Sequence, residues 1–137
     1  MARWHTSLGA LVVGAAASAT ALSAHHSITA IYDSTKPVTV TGSVREFHFV
    51  NPHPWVGVDV TTAPGQVEPW RLELDNRFEL VEVGMKADTL KPGDAVVASG
   101  SAGRNGAHSL YVRQLDRPSD GLRYEQVGPS PRLTLRR

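Results

Sequence analysis

Two histidines stand side by side at Ala24-His25-His26-Ser27, immediately after an apolar, alanine-rich run. A chain cut after Ala24 would begin with His25 and carry a free α-amine on it. Such a residue can chelate a metal through its amine and one ring nitrogen, and a third nitrogen from elsewhere would complete a T-shaped set. Nitrogen sets of this kind suit Cu(II), which heads the divalent affinity order and accepts a square-planar arrangement. The third nitrogen could come from His26 or from His53, which Pro52 and Pro54 flank so that its backbone is constrained at a corner. The chain has no cysteine, so thiolate sites and cysteine nucleophiles are excluded and nitrogen and carboxylate donors remain. Copper therefore ranks ahead of zinc as the expected metal. The competing reading is structural: a polar chain start with no task, and a His53 ring that caps backbone groups at its corner. His48 reads as an outward strand residue, and His108 as a residue beside a Gly-rich loop.

The terminal chelate depends on the leader. Arg3 supplies a basic start, and residues 8–22 are uncharged and apolar and end in small residues, the pattern of a secretory signal peptide. The run is too short for a comfortable membrane span. Residues 1–24 are read as the leader, although Ala19-Thr20-Ala21 fits the small-x-small rule better than Leu22-Ser23-Ala24. After a cut at Ala21 the histidines would be internal, and zinc or copper would have to bind through imidazoles plus Asp33.

Without the leader the chain carries as many basic as acidic residues. That balance opposes a nucleic-acid surface, which needs an excess of Lys and Arg against phosphates. The remaining length is that of one small domain with one core.

Apolar residues then recur mostly at every second position. Val38 to Phe49 reads as a long first strand in which Gly42 marks a bulge or bend. Asn51 to Pro54 makes a corner, Trp55 to Val60 a second strand, and Val67 to Leu74 a third. Asn76 followed by Glu79 is a capping-box-like start, so a short helix with Phe78 and Val81 on its buried face is expected, stopped by Gly84. Ala95–Ser99 and Ala107–Leu115 supply two further strands. The expected fold is all-β, a small five-stranded OB-like barrel over residues 25–118 with one short helix between strands three and four. Residues 119–137, with Gly128, Pro129 and Pro131, read as a flexible C-terminal extension.

Several short motifs occur together: His25-His26-Ser27, Lys36-Pro37-Val38 leading into Thr41-Gly42-Ser43-Val44, Asn51-Pro52-His53 with Trp55, and Leu90-Lys91-Pro92-Gly93-Asp94. In these the chain resembles the small exported bacterial domains grouped as DUF6152, over about residues 24–117. The resemblance implies an exported, compact β-domain of unassigned function and adds weight to His25, His26, Asn51, His53 and Trp55. His48 stands outside the family-like motif, and the tail after Pro118 is longer than the resemblance implies.

Catalytic patterns are few. No Gly-x-Ser-x-Gly elbow, His-Glu-x-x-His or phosphate-cradling Gly-rich loop occurs. Glu73, Asp75, Asp59, Glu68 and Glu79 could approach in space, but strand-end carboxylates usually pair with neighbours. The expected function is a periplasmic or secreted metal-binding domain using His25, His26 and His53, not an enzyme, with a copper-dependent oxidase on the terminal histidine as the catalytic alternative. The alternative is a metal-free module of the cell envelope that holds a small molecule or protein partner near Asn51, Trp55, Trp70 and Tyr111. Neither reading includes nucleic acid or a membrane span in the mature chain.

Overall fold

The computed structural model describes residues 28–135; the leader 1–24, His25 and His26 lie outside the described residues. A single helical turn at 28–31 leads into β1 (Tyr32–His48). There follow β2 (Trp55–Ala63), β3 (Gln66–Glu73), the helix α1 (Arg77–Glu82) and β4 (Ala95–Gly103). A 3-10 turn at Arg104–Gly106 then gives way to β5 (Ser109–Arg117), β6 (Leu122–Val127) and β7 (Ser130–Leu135). The fold is all-β. The seven strands lie in one sheet in the order β3-β2-β1-β4-β5-β6-β7, each antiparallel to its neighbours. β3 also pairs with β5 in parallel, Leu72 opposite Leu110, so the pairings of five strands return on themselves.

β1 serves two partners. Its first half pairs with β4 and its second with β2, and Gly42 stands in both ladders, opposite Val96 and Val60. A Cβ at Gly42 would run into the Asp59 carbonyl oxygen, so close strand approach explains the glycine. The bulge falls three residues later, at Arg45, which has no partner between Val44↔Val58 and Glu46↔Gly57. β5 has the same device. Val112 faces Gly100 and Gln114 faces Ser99, leaving Arg113 unpaired. An extra residue of this kind bends the strand and re-aims its side chain.

The core forms where alternate residues of the strands converge: Val44, Val56, Val58, Leu72, Leu74, Leu80, Val96, Ala98, Leu110, Val112 and Leu115 are all buried, with Leu90. Phe47, Phe49 and Trp70 are partly buried against it. Three positions expected in the core, Phe78, Val81 and Val97, do not hold. Phe78 and Val81 are exposed at 73% and 49%, because a six-residue helix can bury only one narrow stripe and Leu80 occupies it. In β4 it is Val96 that is buried and Val97 that is half-exposed, the opposite parity to the one expected.

The expected five-stranded limit and flexible extension are corrected most strongly. The chain beyond Pro118 forms the β6–β7 hairpin, paired to β5 through Gln114↔Glu125 and Leu115↔Tyr124. Tyr124 is fully buried and Leu122 nearly so. Arg117 fixes the entry to this hairpin: Nη1 donates to the Thr89 carbonyl and to Asp94, each at 2.6 Å, and Nη2 to Asp120 at 2.8 Å. These bonds, led by that to Asp120, hold the guanidinium charged far above its ordinary range. No helix among the described residues is long and apolar enough to cross a membrane.

Candidate functional site

The Asn51–Pro54 corner joins β1 to β2 and begins with a cis Asn51–Pro52 bond. Prolines at 52 and 54 remove two backbone donors, so the corner offers carbonyls and others come to it. The Leu74 N–H donates to the Pro54 carbonyl at 2.9 Å and the Arg77 N–H to the Pro52 carbonyl at 3.1 Å. This ties the corner to the segment between β3 and α1. His53, half-buried, lies between those two bonds, and its Nδ1 is 3.2 Å from the Leu74 carbonyl oxygen. A carbonyl can only accept, so Nδ1 carries the proton and neutral His53 keeps its lone pair on Nε2.

His53 lines a cavity of about 330 Å³. Its other walls include Asp75, Glu79, Tyr111 and Arg113, with Gly128 and Pro129 from the β6–β7 turn. The capping box read from the sequence is present: the Glu79 N–H donates to Asn76 Oδ1 at 3.1 Å, and Asn76 Nδ2 donates to Glu79 Oε1 at 2.8 Å. That reciprocal pair folds the Glu79 carboxylate back over the helix start. Its second oxygen, Oε2, is buried with no hydrogen-bond partner among the described residues. Tyr111, in the same lining, is buried; burial, then the Asp75 charge, pushes its hydroxyl pKa well above the ordinary tyrosine range. Arg113, the bulge residue, lies 5.2 Å over the Tyr111 ring.

Ile28, the first described residue, also lines this cavity. Its helical turn is pinned from outside: Arg104 Nε donates to the Thr29 carbonyl at 3.1 Å, and Arg104 Nη1 pairs with Asp33 at 3.5 Å. Tyr32 donates to Glu73 Oε2 at 2.7 Å.

The other expected positions lie elsewhere. Trp55 is on the outer face of β2, half-buried. His48 stacks on its indole at 4.0 Å between centroids and 9° between planes, and the Arg71 guanidinium lies 4.1 Å over it. The two reach it from the strands on either side. His48 also meets Glu46 at 2.8 Å. His108 stacks on Trp70 at 5.2 Å, with Glu68 at 3.6 Å. Asn51 is exposed at the corner and does not line the cavity. The structure therefore separates Trp55 and Asn51 from His53.

Among the described residues no three His, Asp or Glu side chains are grouped so as to hold a metal ion. Sequence reasoning picked out His53, the Asn76–Glu79 cap and Tyr111 as part of a binding face with Trp55 and Trp70, but gave no cavity role to Asp75, Glu79 or Arg113. These come from different elements brought together by the β3–β5 pairing, and local spacing carries no signal of it. The capping box was the one available clue, since it fixes where the Glu79 carboxylate turns. The model of DUF6152, a family of unknown function, matches residues 12–111, and the chain belongs to that family. Comparison with curated proteins finds no match.

Proposed function

We propose that this DUF6152 protein is an exported, periplasmic or secreted domain that binds one transition-metal ion, copper, through its N-terminal histidines and His53. The observation that carries the reading is the state of His53: one ring nitrogen is committed to the Leu74 carbonyl, and the residue lines a cavity whose wall includes Ile28. A backbone carbonyl on the far nitrogen is the usual way a metal-ligating imidazole is oriented and its tautomer fixed. His25 would add its amine and ring nitrogen, with His26 as the alternative imidazole. The leader pattern of residues 1–24 supports export, and the closed circuit of pairings through β1 to β5 supports an OB-like barrel. Binding should weaken as pH falls through about 6.5, where ordinary histidines protonate.

Calorimetry on protein with its native mature terminus tests the reading. One Cu(II) should bind per chain, and one extra residue ahead of His25 should damage binding as badly as His25→Ala. Absence of stoichiometric uptake, or equal binding by the extended form, overturns it. A second reading, a metal-free module for a small polar molecule or envelope partner, draws on the same cavity, where Arg113 stands with Asp75 and Glu79. It takes over if copper does not bind.

A further inference from the structure

β7 is the last strand of the sheet and, among the described residues, pairs with β6 alone. The turn between them has two residues, Gly128 and Pro129, so Val127 and Ser130 form a hydrogen-bonded pair and such pairs recur at every second position. Ser130, Arg132 and Thr134 therefore turn their backbone groups to β6. Pro131, Leu133 and Leu135 turn theirs away from it, and Pro131, which has no N–H, stands where none is needed. The helix α1 packs against β7 but makes no backbone bond to it, and the outward groups of Pro131, Leu133 and Leu135 meet no backbone partner among the described residues. The ladder to β6 runs without a bulge, and Arg132 is the only charged residue of the strand, so little guards this edge against another strand. We propose that β7 is a dimerisation edge, which takes the β7 of a second copy of this chain antiparallel across a two-fold axis.

The residues of the strand suit a second copy and select one register. In a two-fold contact, residue i meets j and j meets i. Centred on Leu133, the pairing sets Leu133 against the partner's Leu133, Leu135 against the partner's Pro131 and Arg132 against the partner's Thr134. The Leu133 N–H then donates to the carbonyl of the partner's Leu133 and the Leu135 N–H to that of the partner's Pro131, each bond occurring twice by symmetry. A shift toward the turn would set Arg132 against its own copy, which like charge disfavours. A shift toward the chain end leaves Pro131 without an opposite and shortens the ladder. The apolar pairs fall on the face where Leu133 and Leu135 join Leu122 along a groove of about 490 Å³. Leu135 is 64% exposed there, and the partner's Pro131 would cover it.

Analytical ultracentrifugation of the mature chain over a range of concentrations tests this through Thr134, which faces Arg123 within the chain and Arg132 only across the axis. Thr134→Glu should tighten the dimer about 2- to 30-fold and Thr134→Lys should weaken it by a similar factor, because two charge pairs of opposite or like sign form at once. Circular dichroism at high dilution checks that both variants fold. In the unsubstituted protein, amide exchange at Leu133 and Leu135 should slow as concentration rises, whereas Arg132 and Thr134, already bonded to β6, should not change. A parent that stays monomeric up to about 1 mM overturns the proposal, and so does a dimer that answers Glu and Lys alike, since its interface lies elsewhere. Protection of Leu133 and Leu135 that is complete at every concentration overturns it too, because another part of the chain would then cover the edge.

Discussion

The outer face of β1–β3 and the cavity behind the Asn51–Pro54 corner are built from the same kinds of side chain, and they use them in opposite ways. On the outer face His48 has Glu46 on Nε2 and the Trp55 ring against its plane, Arg71 covers the same indole, and Arg45 bonds to Asp59 at 2.8 Å. Partners lie on the same or neighbouring strands, Arg45 reaching Asp59 from its bulge, and the rings' stacking surfaces are taken. Behind the corner the partners come from the turns between strands and from a bulge, and they do not close the set. His53 keeps Nε2 and Glu79 keeps Oε2. The outer-face ladder satisfies these side chains pairwise, whereas the junction leaves Glu79 Oε2 over, as the β2–β3 ladder leaves Trp70 Nε1.

The largest effect should come from the wall that the cavity shares with the core. Tyr124 is fully buried beside Leu115, and its strand leads into the Gly128–Pro129 turn that closes the cavity. Tyr124→Ala should cost about 3–5 kcal/mol, read by denaturant unfolding, and removing residues after Pro118 should cost at least as much. A truncated protein that melts like the parent would show the hairpin to be dispensable and the cavity to be an accident of its packing.

Next comes the contrast between histidines. His53→Ala should lower Cu(II) affinity by about two orders of magnitude, about 2.7 kcal/mol, whereas His48→Ala should leave it unchanged. Equal losses in titration calorimetry would erase the distinction between the closed face and the open cavity.

Alkaline titration probes how dry the cavity side is. All three tyrosines are buried, and burial is the first cause that raises each: Tyr32 further through its bond to Glu73, Tyr111 and Tyr124 through the Asp75 charge. A raised folded-state pKa contributes stability that is complete below the unfolded value near 10 and is lost as pH climbs beyond it. Above pH 10 stability should therefore fall by about 1.4 kcal/mol per pH unit for each tyrosine that stays protonated. Tyrosinate absorbance should then appear together with unfolding, in one transition. Gradual ionisation near pH 10 with the fold intact would mean that water reaches these hydroxyls.

The limits of the sequence follow the same division between ladders and junctions. Alternation found β1 to β5, the corner and core positions such as Val44, Val58, Leu72 and Val112, because period-two burial is written locally. The β6–β7 hairpin was passed over although Leu122 and Tyr124 alternate, since Gly128, Pro129 and Pro131 read as breakers. Gly128 takes a φ of 61° in the turn, and β7 pairs on one side only, where an edge strand tolerates Pro131. Phe78 and Val81 misled because two apolar residues fit a helical face as well as one, and only tertiary packing chose Leu80. Of the cavity, His53 and the Asn76–Glu79 cap were legible from flanking prolines and spacing. Tyr111 was read only as a binding-face residue beside Trp55 and Trp70, and Arg113 not at all, because the parallel β3–β5 pairing and the bulge that bring them to His53 are long-range events.

The smallest expected effect tests whether the outer face is as closed as its contacts indicate. His48 and Glu46 are about 40% exposed in their side chains, so water and salt screen their attraction, and the scale is set by the stack on Trp55, about 0.5–1.5 kcal/mol. Arg71 still covers the indole when the imidazole is gone, so His48→Ala should lower the melting temperature by less than about 8 °C and shift Trp55 emission modestly. The bond from His48, followed by that from Arg45, holds the Glu46 carboxyl below its ordinary value of 4.5. A depressed acid contributes stability above its unfolded pKa and loses it as pH falls through the folded one. The gap between variant and parent should therefore narrow only below pH 4.5. A gap that narrows well above pH 4.5 would show that Glu46 does not control it, and the outer face would then be less closed than its contacts indicate.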